Sequence, residues 1–303
     1  MNERVSKVMN SSDTTLSLVL GSGGARGHAH LGVIRAIEER GLKIRNIAGT
    51  SMGAVIGGMY AAGELDTYAE WACELSKRDV IRLLDISFSW TSIFKGEKIF
   101  DVLKDLIGDR RIEDLDRGFT AVATDIDNQS EVWINKGPLF QAIRASTAVP
   151  GVFSPVQLDG RTLVDGGLVN PIPIAPTLSD ATDLTIAVNL NALEQTGNSS
   201  TSGETLPSPG QSGKHRASIS RFLDQLLGKS DEEAEAPDAA ELLTKSIDVM
   251  QGAIARLKLA AYAPDKVIAI PRNACLFFDF HRAAEMRELG YERAAAALDE
   301  LGF

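Results

Sequence analysis

Two short apolar runs, each ending in a glycine-rich turn, are the feature that most constrains the fold of this chain. Thr15–Leu20 (TLSLVL) is β-rich and stops at a glycine cluster, after which a helical run begins. Ile44–Ala48 predicts a second strand that enters a second small-residue turn, and Ala54–Ala62 predicts a second helix. The order strand, helix, strand, helix is typical of a parallel sheet covered by helices. This part of the chain therefore predicts an α/β fold.

Later segments extend the same pattern. Further strands are predicted at Thr120–Thr124, Glu131–Ile134, Thr162–Val164, Thr185–Asn189 and Lys266–Ile270. Further helices are predicted at Lys98–Ile107, Pro138–Ser146, Ala239–Ala261 and His281–Leu301. No internal repeat and no boundary divides the chain into two cores. We therefore expect one three-layer α/β/α domain over residues 15–303, with a mostly parallel central sheet.

Two regions are too polar to join that core. Residues 1–14 are predicted to be a disordered tail. Thr, Ser, Gly, Pro and Gln dominate from Asn191 to Gly213, and an acidic run follows from Asp231 to Glu241. We therefore expect a flexible insertion at about residues 191–241.

One helix is predicted inside this insertion. Apolar residues recur there at helical spacing, and basic residues lie nearby. The apolar positions are Ile219, Phe222, Leu223, Leu226 and Leu227. Such a helix could be a lid, a peripheral contact with a membrane surface, or an ordinary helix packed on the core.

Composition and charge exclude several other classes of protein. The chain of 303 residues is 44% hydrophobic and 24% charged, which excludes wholesale disorder. Lys and Arg number 31 against 41 Asp and Glu, and the net charge of −10 argues against a nucleic-acid partner. Cys73 and Cys275 form no metal-ligand or disulfide pattern. The N-terminal residues do not predict a signal peptide, and the uncharged run Ile47–Gly63 is too short to span a bilayer. We therefore expect a soluble cytoplasmic protein.

The second turn, Gly49-Thr50-Ser51-Met52-Gly53, fits the pattern G-x-S-x-G between a predicted strand and a predicted helix. A serine on such a turn projects its hydroxyl from the edge of the sheet, and Gly49 and Gly53 keep side chains out of its way. The following helix directs its positive end at the site, which favours developing negative charge. The alternative is a small-residue turn that only packs a helix on a sheet. Its context favours Ser51 as a nucleophile.

The first turn, Gly21–Gly27, is a glycine-rich loop that enters a helix, so its backbone N–H groups can cradle an anion. A dinucleotide pyrophosphate is one candidate. However, Arg26 stands where the third glycine of G-x-G-x-x-G belongs, and the acidic residue expected ~20 residues on is absent. An oxyanion fits equally well. This loop and the Ser51 turn both follow the carboxyl ends of neighbouring parallel strands, so the two loops would face each other. A tight turn without a ligand is the third alternative.

A serine nucleophile needs a base. Asp165-Gly166-Gly167 follows a short predicted strand, and an Asp-Gly pair is by itself typical of a hairpin turn. No histidine follows a late strand, where the histidine of a triad is expected; the four are His28, His30, His215 and His281. Their default interpretation is surface or satisfied core histidine. A buried carboxylate can act as the base because desolvation raises its pKa, so the residues leave both possibilities open.

Taken in order, these motifs resemble the patatin-like phospholipases, in particular their compact bacterial members. The matching blocks are GSGGARG, GTSMG, RASTAVPGVF from Arg144, DGGLVNP from Asp165, and FDFHR near the C-terminus. The resemblance implies a Ser51–Asp165 dyad without histidine, in which Ser51 is the nucleophile and Asp165 the base. It also implies an oxyanion loop formed by Ser22, Gly23, Gly24 and Ala25, with Arg26 beside it. The loop departs from many relatives at Ser22, where they have glycine, but serine supplies the same backbone N–H.

The leading hypothesis is therefore a lipid acyl hydrolase that acts through an acyl-enzyme on a lipid or acyl-ester substrate, without metal or cofactor. Two other classes remain open. One is a dinucleotide- or phosphate-binding regulator that uses the same glycine loop. The other is a protein with the patatin fold that acts by binding a partner, with slow or no turnover.

Overall fold

A computed structural model of the protein describes residues 13–84, 96–193 and 239–303. The strands in these ranges are β1 Thr15–Leu20, β2 Lys43–Thr50, β3 Gly118–Asp125, β4 Ser130–Ile134, β5 Val156–Leu158, β6 Arg161–Asp165, β7 Leu184–Ala192 and β8 Lys266–Pro271. The α-helices are α1 Ala29–Glu39, α2 Met52–Ala61, α3 Leu65–Glu74, α4 Lys77–Leu84, α5 Glu97–Ile107, α6 Leu139–Ser146, α7 Ala239–Tyr262 and α8 Ala283–Asp299.

All eight of these strands form one sheet, in the order β5-β6-β3-β2-β1-β7-β8, with β4 paired to β3. The pairs β1–β2, β2–β3, β1–β7 and β7–β8 are parallel. Antiparallel pairing is confined to the end of the sheet that contains β4, β5 and β6. The predicted mostly parallel sheet is therefore confirmed, and β1 lies in its interior between β2 and β7.

Helices cover both faces of the sheet. Successive side chains of a strand point to opposite faces. Leu16, Leu18 and Leu20 of β1 join the main core with residues of α1, α2 and α8, whereas Val19 joins a second cluster with Ala255 of α7. The three-layer arrangement expected from the sequence is thus present. Because β1 and β2 are central, the turns that follow them lie together at the carboxyl edge of the parallel strands.

Three elements were absent from the sequence prediction. Helix α3 buries only Tyr68 and Ala72, so its apolar periodicity is weak. Helix α4 is short and follows it directly. Strand β5 has three residues, too few to show alternation. No helix in the described ranges is both long and apolar enough to cross a membrane.

The edges of the predicted insertion need correction. Asn191 and Ala192 belong to β7, and Ala239 begins α7, so the predicted range of 191–241 is too wide at both ends. The composition of the chain changes at Asn191, which predicts that the insertion begins there, yet the Asn191 side chain is buried. Residues 194–238, with the helix predicted at Ile219–Leu227, and residues 1–12 of the predicted tail lie outside the described ranges.

Candidate active site

Ser51 lies on the sharp turn between β2 and α2. Its backbone has φ 57° and ψ −123°, a conformation that residues other than glycine rarely adopt. A Cβ on Gly49 would lie 2.4 Å from the carbonyl oxygen of Gly53, and a Cβ on Gly53 would lie 2.0 Å from that of Leu20. The two glycines of the motif are therefore required by close packing of the turn on itself and on the end of β1.

The backbone of Ser51 is also held from outside the turn. Its N–H donates to Oγ of Ser146 at 3.0 Å, and the Ser146 hydroxyl donates to the carbonyl of Val122 at 2.6 Å. Ser146 is fully buried at the end of α6. Ser146 lies in the block RASTAVPGVF that resembles the family, but that resemblance assigns it no role, and the role is visible only from these contacts. It fixes the strained turn to the neighbouring strand β3.

Asp165 is the last residue of β6 and is not part of a hairpin turn, since a short 3-10 helix, Gly166–Leu168, follows it. Its backbone N–H donates to Ala148 at 2.9 Å, and Thr124 Oγ1 donates to its carbonyl at 2.9 Å. Its carboxylate Oδ1 accepts the Gly167 N–H at 2.7 Å. The side chain is therefore fixed at the edge of the sheet, next to the Ser51 turn.

Burial raises the pKa of Asp165 to about 6, and hydrogen bonding by the Ser51 hydroxyl and the Gly167 N–H partly opposes this rise. The Ser51 hydroxyl thus lies close to the carboxylate. The second oxygen, Oδ2, is buried without a fully aligned hydrogen-bond partner among the described residues. A carboxylate with an open lone pair and a pKa just below neutrality is suited to accept a proton at neutral pH.

His28 and His30, which follow the glycine loop, are not arranged as bases. His28 borders the same cleft as Ser51, but both of its ring nitrogens are engaged, Nδ1 with the Ala25 carbonyl at 3.2 Å and Nε2 with the Tyr68 hydroxyl at 3.1 Å. Since a carbonyl only accepts, Nδ1 carries the proton and Nε2 accepts from Tyr68. His30 Nε2 donates to the Gly21 carbonyl at 2.9 Å. Burial lowers the pKa of both rings to about 4. Both are neutral core histidines at neutral pH; His28 has both ring nitrogens paired, whereas Nδ1 of His30 is buried without a partner among the described residues.

The glycine loop after β1 offers fewer free donors than its sequence suggests. The Ser22 N–H donates to the carbonyl of Pro171 at 2.8 Å, and the Ala25 N–H donates to that of Phe277 at 2.9 Å. Among the described residues, no acceptor pairs with the N–H groups of Gly23 and Gly24. Of the four predicted oxyanion residues, these two therefore have donors available for a ligand. The N–H of Met52, at the start of α2, is a further donor that the sequence analysis missed.

Arg26 lies beneath the loop and does not reach into solvent. Its Nη1 donates to the Arg272 carbonyl at 2.8 Å, and Nη2 lies 3.4 Å from Asp248 of α7. A Cβ on Gly23 would lie 3.4 Å from its Nε, so the guanidinium is adjacent to the loop backbone. Its positive charge favours negative charge at the loop.

Ser51 opens on a cleft whose lining is almost entirely apolar and aromatic. The cleft encloses about 820 Å³ of empty volume, part of it open to solvent. Its aromatic residues are Tyr68, Trp71, Phe100, Phe153, Phe277, Phe278 and Phe280. On the other side, Asp165 lines a smaller pocket with the polar residues Ser22, Asp248 and Gln251. In the described ranges, no cluster of three or more His, Cys, Asp or Glu is placed to hold a metal ion.

Comparison with known proteins gives consistent results. The family model described as patatin-like phospholipase matches residues 18–178. An uncharacterised NTE family protein of Mycobacterium tuberculosis is 40% identical over 97% of this chain and 94% of its own. A patatin-like phospholipase domain-containing protein of Caenorhabditis elegans is 36% identical over 60% of this chain and 14% of its own.

The Drosophila grimshawi protein named neuropathy target esterase sws is 36% identical over 52% of this chain and 11% of its own length. The crystal structure of VipD from Legionella pneumophila superposes with a TM-score of 0.56 at 13% identity. The superposition covers 96% of this chain and 66% of that one, and it supports the fold alone.

Proposed function

Because the chain belongs to the patatin-like phospholipase family, we propose that it is a serine-dependent hydrolase of lipid acyl esters. One observation carries this proposal. A serine in a strained strand-to-helix turn lies beside a buried carboxylate whose pKa is about 6, at the mouth of an apolar cleft. A strained, buried serine next to an open carboxylate has little value for stability, whereas a nucleophile and its base require this arrangement.

The proposed reaction starts with attack of Ser51 Oγ on the ester carbonyl. The Asp165 carboxylate accepts the hydroxyl proton and then gives it to the departing alcohol. Negative charge on the carbonyl oxygen is stabilised by the N–H groups of Gly23 and Gly24 and by the positive end of α2. Water, deprotonated by Asp165, then releases the acid from the acyl-enzyme.

The two sides of the site fit the two parts of an acyl ester. The apolar cleft beside Ser51 suits an acyl chain, because burial of each CH₂ contributes about 0.8 kcal/mol. The pocket at Asp165 suits a polar leaving group. Contact with a lipid surface is part of the proposal; Val249, Met250 and Leu257 of α7 expose 50–71% of their surface.

The small number of free backbone N–H groups in the glycine loop argues against the dinucleotide-binding alternative. A pyrophosphate cradle uses a series of consecutive N–H groups, and two of the four in this loop are already bonded to carbonyl groups. The partner-binding alternative predicts no turnover and is addressed by experiment.

The test is labelling by a fluorophosphonate, followed by assays on a p-nitrophenyl ester, a lysophospholipid and a phospholipid. The protein should be labelled at Ser51 and hydrolyse at least one substrate. Ser51→Ala should abolish labelling and lower kcat by about 10⁶-fold, as for other serine nucleophiles. Ser130→Ala, at an exposed serine of β4, is the matched control and should behave as the parent protein. Full activity of purified Ser51→Ala would refute the mechanism. An unlabelled, inactive parent protein would favour the partner-binding alternative.

A further inference from the structure

Asn191, near the end of β7, contacts both ends of the glycine loop. Its side-chain Nδ2 donates to the Ser22 carbonyl at 3.2 Å, and its Oδ1 accepts from Arg26 Nη2 at 3.4 Å. Its own backbone N–H donates to Asn189 Oδ1 at 2.9 Å, which fixes the start of the side chain. Asn191 is 7% exposed, so these bonds are shielded from water.

The bond to the Ser22 carbonyl also determines the orientation of the next N–H. The Ser22 carbonyl and the Gly23 N–H belong to one planar trans peptide, in which C=O and N–H point in opposite directions. Holding the oxygen therefore holds the direction of the hydrogen. Donation to the carbonyl also polarises the peptide and strengthens its N–H as a donor.

Packing around Gly23 does not by itself fix the orientation of the Ser22–Gly23 peptide. A Cβ on Gly23 would lie 2.7 Å from Cβ of Leu190, so the loop passes close to β7 without a side chain of its own to fix it. A glycine peptide rotates with little steric resistance. An external hydrogen bond is therefore needed to select one orientation of this peptide.

From this geometry we infer that Asn191 is a positioning residue, which orients the Gly23 N–H toward the oxyanion through the Ser22–Gly23 peptide. The inference rests on the proposed hydrolase function. It adds a residue that lies outside the segment matched by the family model, residues 18–178.

The test compares Asn191→Asp and Asn191→Ala with the parent protein. Aspartate has the same shape and keeps an acceptor for Arg26, but its carboxylate cannot donate to the Ser22 carbonyl. Alanine removes both bonds and serves if the aspartate variant does not fold. Both should lower kcat by about 10- to 100-fold with little change in KM, since loss of a whole oxyanion donor costs about 10²- to 10³-fold. Ile186→Val, in the core of the same strand, is the matched control for a small loss of stability.

A second measurement separates positioning from a general structural role. A trifluoromethyl ketone that carries the substrate's acyl chain forms a tetrahedral adduct with the nucleophile, so its affinity reports on the oxyanion donors. Its affinity should fall by about the same factor as kcat/KM in the Asn191 variants and should not change in Ile186→Val. Unchanged kcat, or lowered kcat with unchanged inhibitor affinity, would overturn the inference. Either result would leave the hydrolase proposal standing, because that proposal depends on Ser51.

Discussion

The two glycine-rich turns of the site follow neighbouring parallel strands, yet they are held in different ways. The turn around Ser51 is fixed mainly by the close packing of its own glycines: Gly49 packs on Gly53, and Gly53 packs on the end of the neighbouring strand β1. The loop after β1 is fixed by distant parts of the chain. Its partners are the carbonyls of Pro171, Arg272 and Phe277, and the side chains of Asn191, Asp248 and Gln251.

This difference separates what is encoded locally from what depends on the whole fold. The packing of Gly49 on Gly53 is a contact within five residues, and such a contact leaves a short sequence motif. A loop held by residues 149 to 252 positions away leaves only its glycines as a signal. Damage to the first turn should affect the nucleophile and its base, whereas damage to the second should affect stabilisation of the transition state.

The largest effect on kcat is expected at Asp165, the general base for Ser51. If Asp165 is the only base, Asp165→Asn should lower kcat about as far as Ser51→Ala does, by about 10⁶-fold, because nucleophile and base act as a unit. Its stability should change in the opposite direction. The pKa of Asp165 is about 6 in the folded protein against 3.8 in the unfolded chain, so this carboxyl lowers the free energy of unfolding progressively as pH rises from about 3.8, and the full loss is present above about pH 6. The shift corresponds to roughly 3 kcal/mol as an upper figure.

Thermal unfolding of Asp165→Asn at pH 8 should therefore occur at a higher temperature than that of the parent protein, and this gain should disappear below pH 4. Asp125→Asn is the matched control. Hydrogen bonds from Asn128 lower the pKa of Asp125, so removal of that charge should destabilise the protein. A destabilised Asp165→Asn would contradict the argument.

The packing of the nucleophile turn is the next feature to break. Gly53→Ala places a methyl group 2.0 Å from the Leu20 carbonyl oxygen, so the backbone must move, at a cost of about 1–3 kcal/mol of unfolding free energy or more. Activity should fall with it, because α2 and Ser51 shift together. Gly63→Ala is the control. Gly63 has φ +76° and nothing within 4 Å, so alanine there should cost only about 1–2 kcal/mol of backbone strain and leave kcat unchanged. Equal kcat values in Gly53→Ala and Gly63→Ala would exclude close packing as the reason why the turn requires glycine at position 53.

A smaller effect is expected where the nucleophile turn does depend on a distant residue. Ser146→Ala leaves the Ser51 N–H buried without its acceptor, which costs about 1–3 kcal/mol of stability. We expect kcat to fall about tenfold while labelling by a fluorophosphonate persists at a lower rate. Ser146→Ala should leave the trifluoromethyl ketone affinity less affected than Asn191→Asp does. If both variants lower it equally, the two turns do not act separately.

The smallest effect is on the pH profile. Asp165 must be charged to accept a proton, so kcat/KM should rise with pH through a pKa of about 6 and reach half its maximum there. His28→Gln should leave this limb in place, since His28 is neutral at these pH values. If the pH at which kcat/KM reaches half its maximum changed in the His28 variant, His28 would take part in the proton transfer.

The sequence was sufficient to predict the sheet, most helices and the placement of Ser51 and Asp165 at the edge of the strands. It succeeded where a structural requirement repeats along the chain, as in the alternation of β1 or the spacing of Gly49 and Gly53. It could not predict the roles of the supporting residues. Asn191 and Gln251 are ordinary polar residues in their own segments, and Ser146 lies in a family-like block that gives it no role. Their roles come from long-range contacts, and composition alone places Asn191 in the insertion.

The buried carboxylate of Asp165 also has an evolutionary consequence. Where a residue lowers stability and contributes only to the reaction, selection for stability alone favours its replacement. A lineage that kept this fold but no longer used the reaction would become more stable by exchanging Asp165 for asparagine. Retention or loss of this aspartate among related sequences therefore distinguishes lineages that still use the reaction from those that have abandoned it.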